Sequence, residues 1–305
     1  MDKKNNWKAW LYLLPALILL IIFMLYPLED VFVYAFEENY TFVEKTYTGV
    51  GFENFGHLFL DDAGKFYWDS EFLTAVKNTF IIVFITVPIS TIISLLIAVG
   101  LNAIKPLRKL FETIFFLPYV TNTLAVGLVF MIMFNKSGSN VGLINNFLGW
   151  FGVNPIDWID GSYGSKMFVL CFYVIWNVMP FKILVLIGAI TSVRKQYYDA
   201  AMIDHASKWT TFRHITVPMI SPMISYLVIT GFIGAFKEYN NAVAIFGSDL
   251  KGAEMNTIVG YIYDKLYVDG LGYVSYAAAG AVILFIIIMT ITAINLLVSK
   301  KHTYY

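Results

Sequence analysis

Charged side chains are scarce in this chain of 305 residues. Asp, Glu, Lys and Arg together make up 14% of it, whereas 58% of the residues are hydrophobic and 17% are aromatic. Soluble globular domains carry about a quarter charged residues, so this composition excludes that class. The 21 basic and 21 acidic residues cancel. The net charge therefore gives no sign of a nucleic-acid partner, and we expect no such partner.

Cysteine is nearly absent, and histidine is rare. The single cysteine, Cys171, lies inside an apolar run, so no intrachain disulfide can form and no redox compartment is implied. The four histidines, His57, His205, His214 and His302, do not have the spacing of a metal site. We therefore expect no bound metal.

Motifs for nucleotide binding and catalysis are also missing. The one Gly-Lys pair, Gly64-Lys65, is followed by Phe66 instead of Ser or Thr, and it lacks the preceding glycine of a phosphate-binding loop. The sequence has no Gly-x-Ser-x-Gly nucleophile turn. The sequence therefore gives no support for an enzymatic function. We expect a chain that binds no cofactor and that depends on separate ATPase subunits for any ATP hydrolysis.

Long hydrophobic runs dominate the sequence instead. Crossing the hydrocarbon core of a bilayer takes about 20 mostly apolar residues. Six stretches meet this requirement, at residues 10–32, 73–101, 111–134, 167–190, 219–246 and 273–298. The chain shows no internal repeat or flexible linker. The sequence therefore predicts an all-α membrane protein with six transmembrane helices, forming a single domain over residues 1–305.

Lysine and arginine are unevenly distributed among the connecting segments. Cytoplasmic loops of membrane proteins are rich in these two residues. This rule places residues 1–9, 104–110, 191–214 and 299–305 in the cytosol. Both termini are then predicted to be cytoplasmic. The first run is long and is not followed by a small-residue cleavage site, which favours a retained span over a signal peptide.

The most distinctive polar segment separates the fourth and fifth runs. It begins at Tyr197, passes through Trp209 and Phe212, and ends at Pro218. The spacing of its apolar residues predicts two short helices, and Pro218 suits the first turn of the next helix. Its alanines are small enough to allow close contact with another surface, so a docking segment is indicated.

This segment resembles the Glu-Ala-Ala loop of permease subunits from binding-protein-dependent ABC importers. That loop reads Glu-Ala-Ala, three residues, Gly, nine residues and Ile-x-Leu-Pro. The matching residues here are Asp199-Ala200-Ala201, His205 and Ile215-Thr216-Val217-Pro218. The resemblance implies a coupling helix that rests on an ATPase subunit. The residues expected to couple to the ATPase are Asp199, Ala200, Ala201, Asp204, His205, Ala206, Phe212 and Pro218.

Two positions depart from the family pattern. Asp199 keeps the charge of the usual Glu on a shorter side chain. His205 replaces a Gly that eases the turn between the two short helices. A histidine there needs either a right-handed backbone or one of the less costly left-handed exceptions.

Shorter similarities extend along most of the chain. Residues 51–55 read Gly-Phe-Glu-Asn-Phe, and Phe116-Leu117-Pro118 opens the third run. Both resemble segments of the permease half typified by the larger maltose permease, as do residues 261–279. The Gly-Gly-Gly-Pro turn of many relatives is replaced here by residues 247–252. The resemblance thus implies the maltose-type permease fold.

Ionisable residues inside the predicted spans mark a candidate substrate path. Lys182 falls near the middle of the fourth span, and Lys237 and Glu238 fall in the fifth. Charges at such depth are costly and usually face a cavity or a partner. With Asn240 and Asn241, they are predicted to line the path. The alternatives are an ion pair that stabilises the bundle and a lysine that extends to the interface.

Two aromatic residues, Trp176 and Tyr239, are further candidates for the path. Sugar rings stack on aromatic faces through their apolar C–H patches. Packing within the bundle, or a position in the interfacial belt, explains most such residues in membrane proteins equally well.

These features predict the permease subunit of an ATP-driven, oligosaccharide-type sugar importer in a prokaryotic inner membrane. Its expected partners are a second permease subunit of the same family, two ATPase subunits, an extracytoplasmic solute-binding protein, a sugar substrate and membrane lipid. Two alternatives stay open: an ion-coupled secondary transporter, and an ABC permease for a glycerol-phosphate-type solute. The docking segment and the lack of an obvious inverted repeat favour an ABC importer over a secondary transporter.

Overall fold

A computed structural model describes residues 6–41, 43–60, 64–68, 70–104, 108–138, 140–270 and 273–302. Most of these residues are helical. The chain divides into two compact units. Unit 1 comprises Met1–Leu73 and Tyr261–Ile286, and unit 2 comprises Thr74–Gly260 and Ile287–Tyr305. The single transmembrane domain over residues 1–305 stays a prediction.

Unit 1 begins with a long apolar helix. Its elements are α1 (Asn6–Leu20), a π-helical turn (Ile21–Leu25), α2 (Tyr26–Phe36), strands β1 (Glu37–Glu38) and β2 (Gly49–Val50), and α3 (Glu53–Phe59). The two strands pair antiparallel. The buried Asn54 side chain donates to the carbonyls of Ala35 and Glu37, at 3.1 and 3.0 Å. This amide therefore fixes the first turn of α3 to the end of α2.

Three further helical segments contribute to unit 1. They are the start of α4 (Glu71–Ala103), the chain from the end of α13 (Ile258–Tyr263) through a π-helical turn (Asp264–Val268), and the first half of α14 (Val274–His302). The Ser275 hydroxyl donates to the Glu37 carbonyl at 2.9 Å. This bond joins α14 to the strand that follows α2.

Unit 2 contains the remaining elements. They are α5 (Arg108–Val120), α6 (Thr123–Phe134), β3 (Lys136–Ser137), β4 (Asn140–Val141), α7 (Leu143–Gly149), α8 (Tyr163–Ser192), α9 (Lys195–Ile203), α10 (Lys208–Thr211), a π-helical turn (Phe212–Thr216), α11 (Val217–Phe236) and α12 (Asn240–Phe246). Buried apolar side chains such as Ala98, Leu186 and Leu227 join α4, α8 and α11 into one core. A second core joins α6, α8 and α12.

Five helices of the described residues are long and apolar enough to cross a membrane, and a bent pair of helices makes a sixth candidate span. The third predicted span, over 111–134, is therefore not one straight helix. It bends by 99° between Leu110–Val120 and Thr123–Phe134. The Asn122 side chain accepts from the backbone N–H of Leu124 and Ala125, which starts a new helix after the break.

The fifth predicted span, over 219–246, is also interrupted. The helix ends at Phe236, and α12 begins at Asn240. Glu238 lies in the break, where its Oε1 accepts the backbone N–H of Asn241 at 2.9 Å. Because a carboxylate that accepts these free N–H groups stabilises a helix start, the break has a local cause. The apolar residues on both sides conceal it from a hydropathy pattern.

The close packing of α6 on α12 leaves no room for a side chain at Gly127. A Cβ at Gly127 would overlap the Ala244 Cβ and lie 3.0 Å from the Ala244 carbonyl. We expect Gly127→Ala to destabilise the protein by about 1–3 kcal/mol, as overpacked cores do. Thermal unfolding in detergent measures this loss. Gly188→Ala is the matched control, because a Cβ there meets nothing within 4 Å. Equal stability of both variants would contradict the close approach.

Candidate substrate path and coupling loop

A cavity of about 380 Å³ opens between α4, α5, α8 and α11 inside unit 2. Its polar lining comes from several helices and includes Thr86, Ser90, Asn177, Lys182, Thr230 and Glu238. Tyr119 and Phe181 add two aromatic rings whose centroids are 5.7 Å apart and whose planes differ by 22°. The cavity thus combines aromatic faces with hydroxyl, amide and charged groups, which is the usual lining of a small-ligand site.

Lys182 is the buried cation of this cavity. The residue is 4% exposed. It lies on α8, two positions after Pro180. The ammonium donates to Ser90 Oγ at 2.7 Å, to Thr91 Oγ1 at 2.9 Å and to the Val87 carbonyl at 3.4 Å. These acceptors are uncharged and all lie on α4. They replace water around the ammonium without neutralising it.

A glycine on α11 leaves room for this ammonium. A Cβ at Gly231 would lie 3.5 Å from Lys182 Nζ and 3.2 Å from a Val87 methyl group. A larger side chain at this position would reach into the same space. Gly231 therefore helps to keep the Lys182 side of the cavity open.

Glu238 is the buried carboxylate of the same cavity. Besides its bond to the Asn241 backbone, its Oε2 accepts from Asn241 Nδ2 at 2.8 Å. Asn241 Oδ1 in turn accepts from Asn177 Nδ2 at 2.6 Å. This chain of hydrogen bonds connects α12 to α8. Glu238 therefore has a structural role as a helix cap, in addition to its place in the cavity wall.

The other predicted path residues lie outside the cavity lining. Lys237 and Asn240 are exposed at the break between α11 and α12. Tyr239 packs beside the core around Ile82. Trp176 packs in the core of α6 and α8, with its ring 5.1 Å from that of Phe130. Their roles in transport stay predictions.

Several groups around the two charges were not singled out from the sequence. Ser90 and Thr91 accept from Lys182, Asn177 donates to the Asn241 amide that contacts Glu238, and Gly231 leaves space beside Lys182. The signal available beforehand was the cluster of hydroxyl residues within the apolar run of α4. Hydroxyls in a membrane helix also bond their own backbone, so this cluster alone does not identify a cavity.

The segment that resembles the coupling loop, residues 191–218, forms the two short helices that the sequence predicts, α9 and α10. It is called the coupling loop below. His205 has φ of 52°, so it adopts the left-handed conformation that the family's Gly would take. Its N–H donates to the Met202 carbonyl at 3.1 Å, and the Ala206 N–H donates to the Ala201 carbonyl at 2.9 Å. This pair of bonds is the Schellman ending of a helix. Of the two backbones left open by the sequence, the left-handed one is therefore correct.

The exposed surface of the coupling loop differs from a simple alanine face. Ala201 is 5% exposed and is covered by this chain itself, whereas Ala200 is exposed. The most exposed large apolar side chains of the loop are Met202, Ile203 and Trp209. Tyr198 reaches back to Thr216, with 3.3 Å between their hydroxyl oxygens. Bulk at Ala201 would thus disturb the loop itself. The assignment of all eight residues to the ATPase contact stays a prediction: Asp199, Ala200, Ala201, Asp204, His205, Ala206, Phe212 and Pro218.

The turn at His205 gives a direct test. Valine in the left-handed region costs about 1–2 kcal/mol, whereas glycine adopts it freely. We expect His205→Val to accelerate amide exchange at residues 205 and 206 about tenfold, and His205→Gly to leave exchange slow. Hydrogen–deuterium exchange measures both. Equal exchange rates in the two variants would contradict the left-handed turn.

Fold and site together define a class: a helical protein with several candidate membrane spans, a polar cavity between helices and a loop of two short helices with exposed apolar side chains. A profile described as the binding-protein-dependent transport system inner membrane component matches residues 63–302. The chain belongs to this family. This finding confirms the resemblance to permease subunits of binding-protein-dependent importers. It also places the chain in a family of inner-membrane components.

Relatives align over nearly the whole chain. The arabinooligosaccharides transport system permease protein AraP of Bacillus subtilis (strain 168) is 28% identical, over 97% of this chain and 93% of its own length. The trehalose/maltose permease protein MalF of Thermococcus litoralis is 26% identical, over 96% and 93%. The sn-glycerol-3-phosphate permease protein UgpA of Pectobacterium atrosepticum is 26% identical, over 99% and 97%. These relatives are transport permeases, as expected for a transport subunit.

A solved structure shares the fold. One chain of a bacterial ABC transporter involved in the import of the acidic polysaccharide alginate superposes with a TM-score of 0.81, at 23% identity, covering 99% of this chain and 98% of that one. This likeness confirms the predicted all-α, ABC-permease architecture.

Proposed function

We propose that this chain is the permease subunit of an ATP-driven importer that carries an oligosaccharide through the cavity in unit 2. The lining of that cavity is the observation that carries the proposal. Lys182, Ser90 and Asn177 supply hydrogen-bonding groups, and Tyr119 and Phe181 supply rings on which a sugar stacks. The relatives AraP and MalF are named for oligosaccharide and disaccharide transport, which supports the same substrate class.

The proposal includes the partners and the mechanical cycle. A second permease of the family completes the path, and a solute-binding protein delivers the sugar from outside. Closure of two ATPase subunits moves the coupling loop, and the spans alternate between outward and inward access. This chain binds no cofactor in that cycle, because nucleotide is held by the ATPase subunits.

One alternative solute has specific support. The buried Lys182 ammonium has uncharged hydrogen-bond acceptors, so an anionic group such as a phosphate would be attracted to it. UgpA, named for sn-glycerol-3-phosphate transport, is a relative over almost its full length. Glu238 in the same wall offsets the positive charge, so the neutral sugar is the preferred substrate.

Uptake into proteoliposomes tests the proposal. The complex is purified through a tag on this chain, its co-purifying subunits are identified, and labelled oligosaccharide or sn-glycerol-3-phosphate is supplied with the binding protein. We expect an ATPase subunit in the complex and ATP-dependent oligosaccharide uptake. Uptake that needs an ion gradient and no ATP would establish a secondary transporter instead. Uptake of glycerol phosphate alone would establish the other alternative.

Cysteine labelling tests the proposed orientation. Lys195→Cys lies in α9, in the predicted cytosolic loop, and Ser248→Cys lies in the exposed segment after α12. The native Cys171 is buried and should not react. We expect an impermeant maleimide added to intact cells to label position 248 and to miss position 195. The reverse pattern would invert the proposed topology and place both termini outside.

A further inference from the structure

A second cavity, of about 350 Å³, lies wholly within unit 1. It shares no lining residue with the cavity described above. Four tyrosines line it, at positions 67, 261, 273 and 276, together with His57, Glu71 and Lys265. Such a concentration of phenol rings around one lysine and its carboxylate partners is not needed to fill an apolar core, because each phenol carries a hydroxyl that must be solvated or bonded.

Lys265 contacts two carboxylates and two aromatic rings around this cavity. Its ammonium is 3.2 Å from Glu71 Oε2 and 2.5 Å from Asp269 Oδ2. It also lies over two rings, 5.4 Å from the centroid of Tyr261 and 5.3 Å from that of Tyr273. Cation–π contacts of this kind hold both rings in place. The geometry fixes the cation and the aromatic walls as one unit.

The charge of this wall excludes one class of ligand. Burial tends to lower the pKa of Lys265, but the hydrogen bond to Asp269 and the charge of Glu71 outweigh it, so the pKa is raised overall. The ammonium therefore stays charged and is matched by two carboxylates. An anionic ligand finds no unbalanced positive charge here. A neutral ligand with many hydroxyls can bond to the carboxylate oxygens.

The rings are also accessible. Tyr67 is 49% exposed and Tyr273 is 42% exposed. The rings of Tyr273 and Tyr276 are 5.8 Å apart, and the His57 ring is 5.0 Å from that of Tyr276. An open row of aromatic faces beside fixed hydrogen-bonding groups suits a sugar ring, whose C–H face stacks while its hydroxyls bond at the edge.

We propose that this cavity in unit 1 is a second carbohydrate-binding site, which takes a neutral sugar ring of an oligosaccharide between Tyr67, Tyr273 and Tyr276. The choice of carbohydrate rests on the proposed function, whereas the preference for a neutral ring rests on the Lys265 ion pairs. The site is separate from the Lys182 cavity in its residues and in its charge. Sugar bound here does not need Lys182.

Saturation-transfer NMR on the intact complex tests this site. The complex is placed in phosphatidylcholine nanodiscs without glycolipid or glycoside detergent, because a detergent sugar would fill the cavity. The probes are maltotriose, arabinotriose and lactose, with an alginate trisaccharide as the anionic comparison. We expect at least one neutral probe to bind, and the anionic probe to give no signal that depends on this site.

Three variants assign the signal. Tyr273→Ala removes one stacking face and is expected to weaken the neutral probe's binding about tenfold, whereas Tyr273→Phe retains the ring and most of the binding. Tyr267→Ala is the matched control, since Tyr267 is an exposed tyrosine outside the cavity lining and its loss should change nothing. Retained binding by Tyr273→Phe also shows that the Ala variant lost a ring contact and not only its fold.

The outcomes separate this inference from the proposed function. If no neutral probe binds in a way that Tyr273→Ala weakens, the second site is overturned, even where oligosaccharide uptake proceeds normally. If binding depends on Tyr273 but the complex transports no oligosaccharide, the second site stands and the proposed function fails. Loss of the signal in Lys182→Met alone would assign the sugar to the other cavity and overturn the inference.

Discussion

Aspartate in place of Ile203 is expected to reduce solute-stimulated ATP hydrolysis at least about tenfold, because an exposed apolar anchor of an interface is worth about 2 kcal/mol or more. Ile203 ends α9 and is 79% exposed. Met202 and Trp209 in the same loop are also exposed. Exposed large apolar side chains on a loop that is predicted to be cytosolic favour a protein contact, and the resemblance assigns that contact to the ATPase.

The test measures ATP hydrolysis with the binding protein and solute, together with recovery of the ATPase subunit on the tagged permease. Ile203→Leu is the control, because it keeps an apolar side chain of equal size. We expect the leucine variant to behave like the wild type. Normal stimulated hydrolysis in the aspartate variant would show that this end of α9 contacts no partner. Asp199→Lys adds a test of charge, and we expect it to weaken coupling as well.

Methionine in place of Lys182 is expected to lower oligosaccharide uptake at least about tenfold. The 3.4 Å bond from the ammonium to the Val87 carbonyl is long enough to be exchanged for a bond to a substrate hydroxyl, and a charged hydrogen bond is worth about 1.5–3 kcal/mol. The substitution should not unfold the protein. Ser90 still donates to the Thr86 carbonyl, and Thr91 still donates to the Val87 carbonyl at 2.7 Å. The hydroxyls that lose the ammonium thus keep partners on their own helix, and methionine fills a similar volume.

Lys237→Met is the matched control for this experiment. Lys237 is a lysine at the C-terminal end of α11, but it is exposed and does not line the cavity. The sequence also predicts Lys237 for the path, so this variant decides between the two lysines: from the cavity lining we expect normal uptake in Lys237→Met, and a loss of uptake there would support its predicted role. Uptake and stimulated ATP hydrolysis should be followed across solute concentrations for both variants. If Lys182→Met and Lys237→Met both match the wild type, the Lys182 charge serves only to hold α8 against α4.

The sequence determines those features whose cause is local. Apolar runs longer than a bilayer core require membrane spans. The coupling loop follows from residues close together in sequence: His205 takes the turn that a glycine would take, and Ser207 accepts the Thr210 N–H at 3.1 Å to start α10. Short polar side chains that cap helices, and small residues at turns, act on backbone within a few positions. Such signals are readable without a fold.

Tertiary structure decides the cavity. Lys182 finds its acceptors on α4, more than 90 residues earlier in the chain, whereas Lys237, equally polar in sequence, remains exposed. Hydropathy cannot separate these two lysines, because it records what a side chain costs in lipid and not which helix lies beside it. The buried hydrogen-bond network at the break in the fifth span has the same origin. Glu238 can cap α12 locally, but Asn177 on α8 must pack alongside before the carboxylate and amides form a buried network. The positions of the polar residues can therefore be read from the sequence, whereas packing between distant helices determines which of them face a cavity.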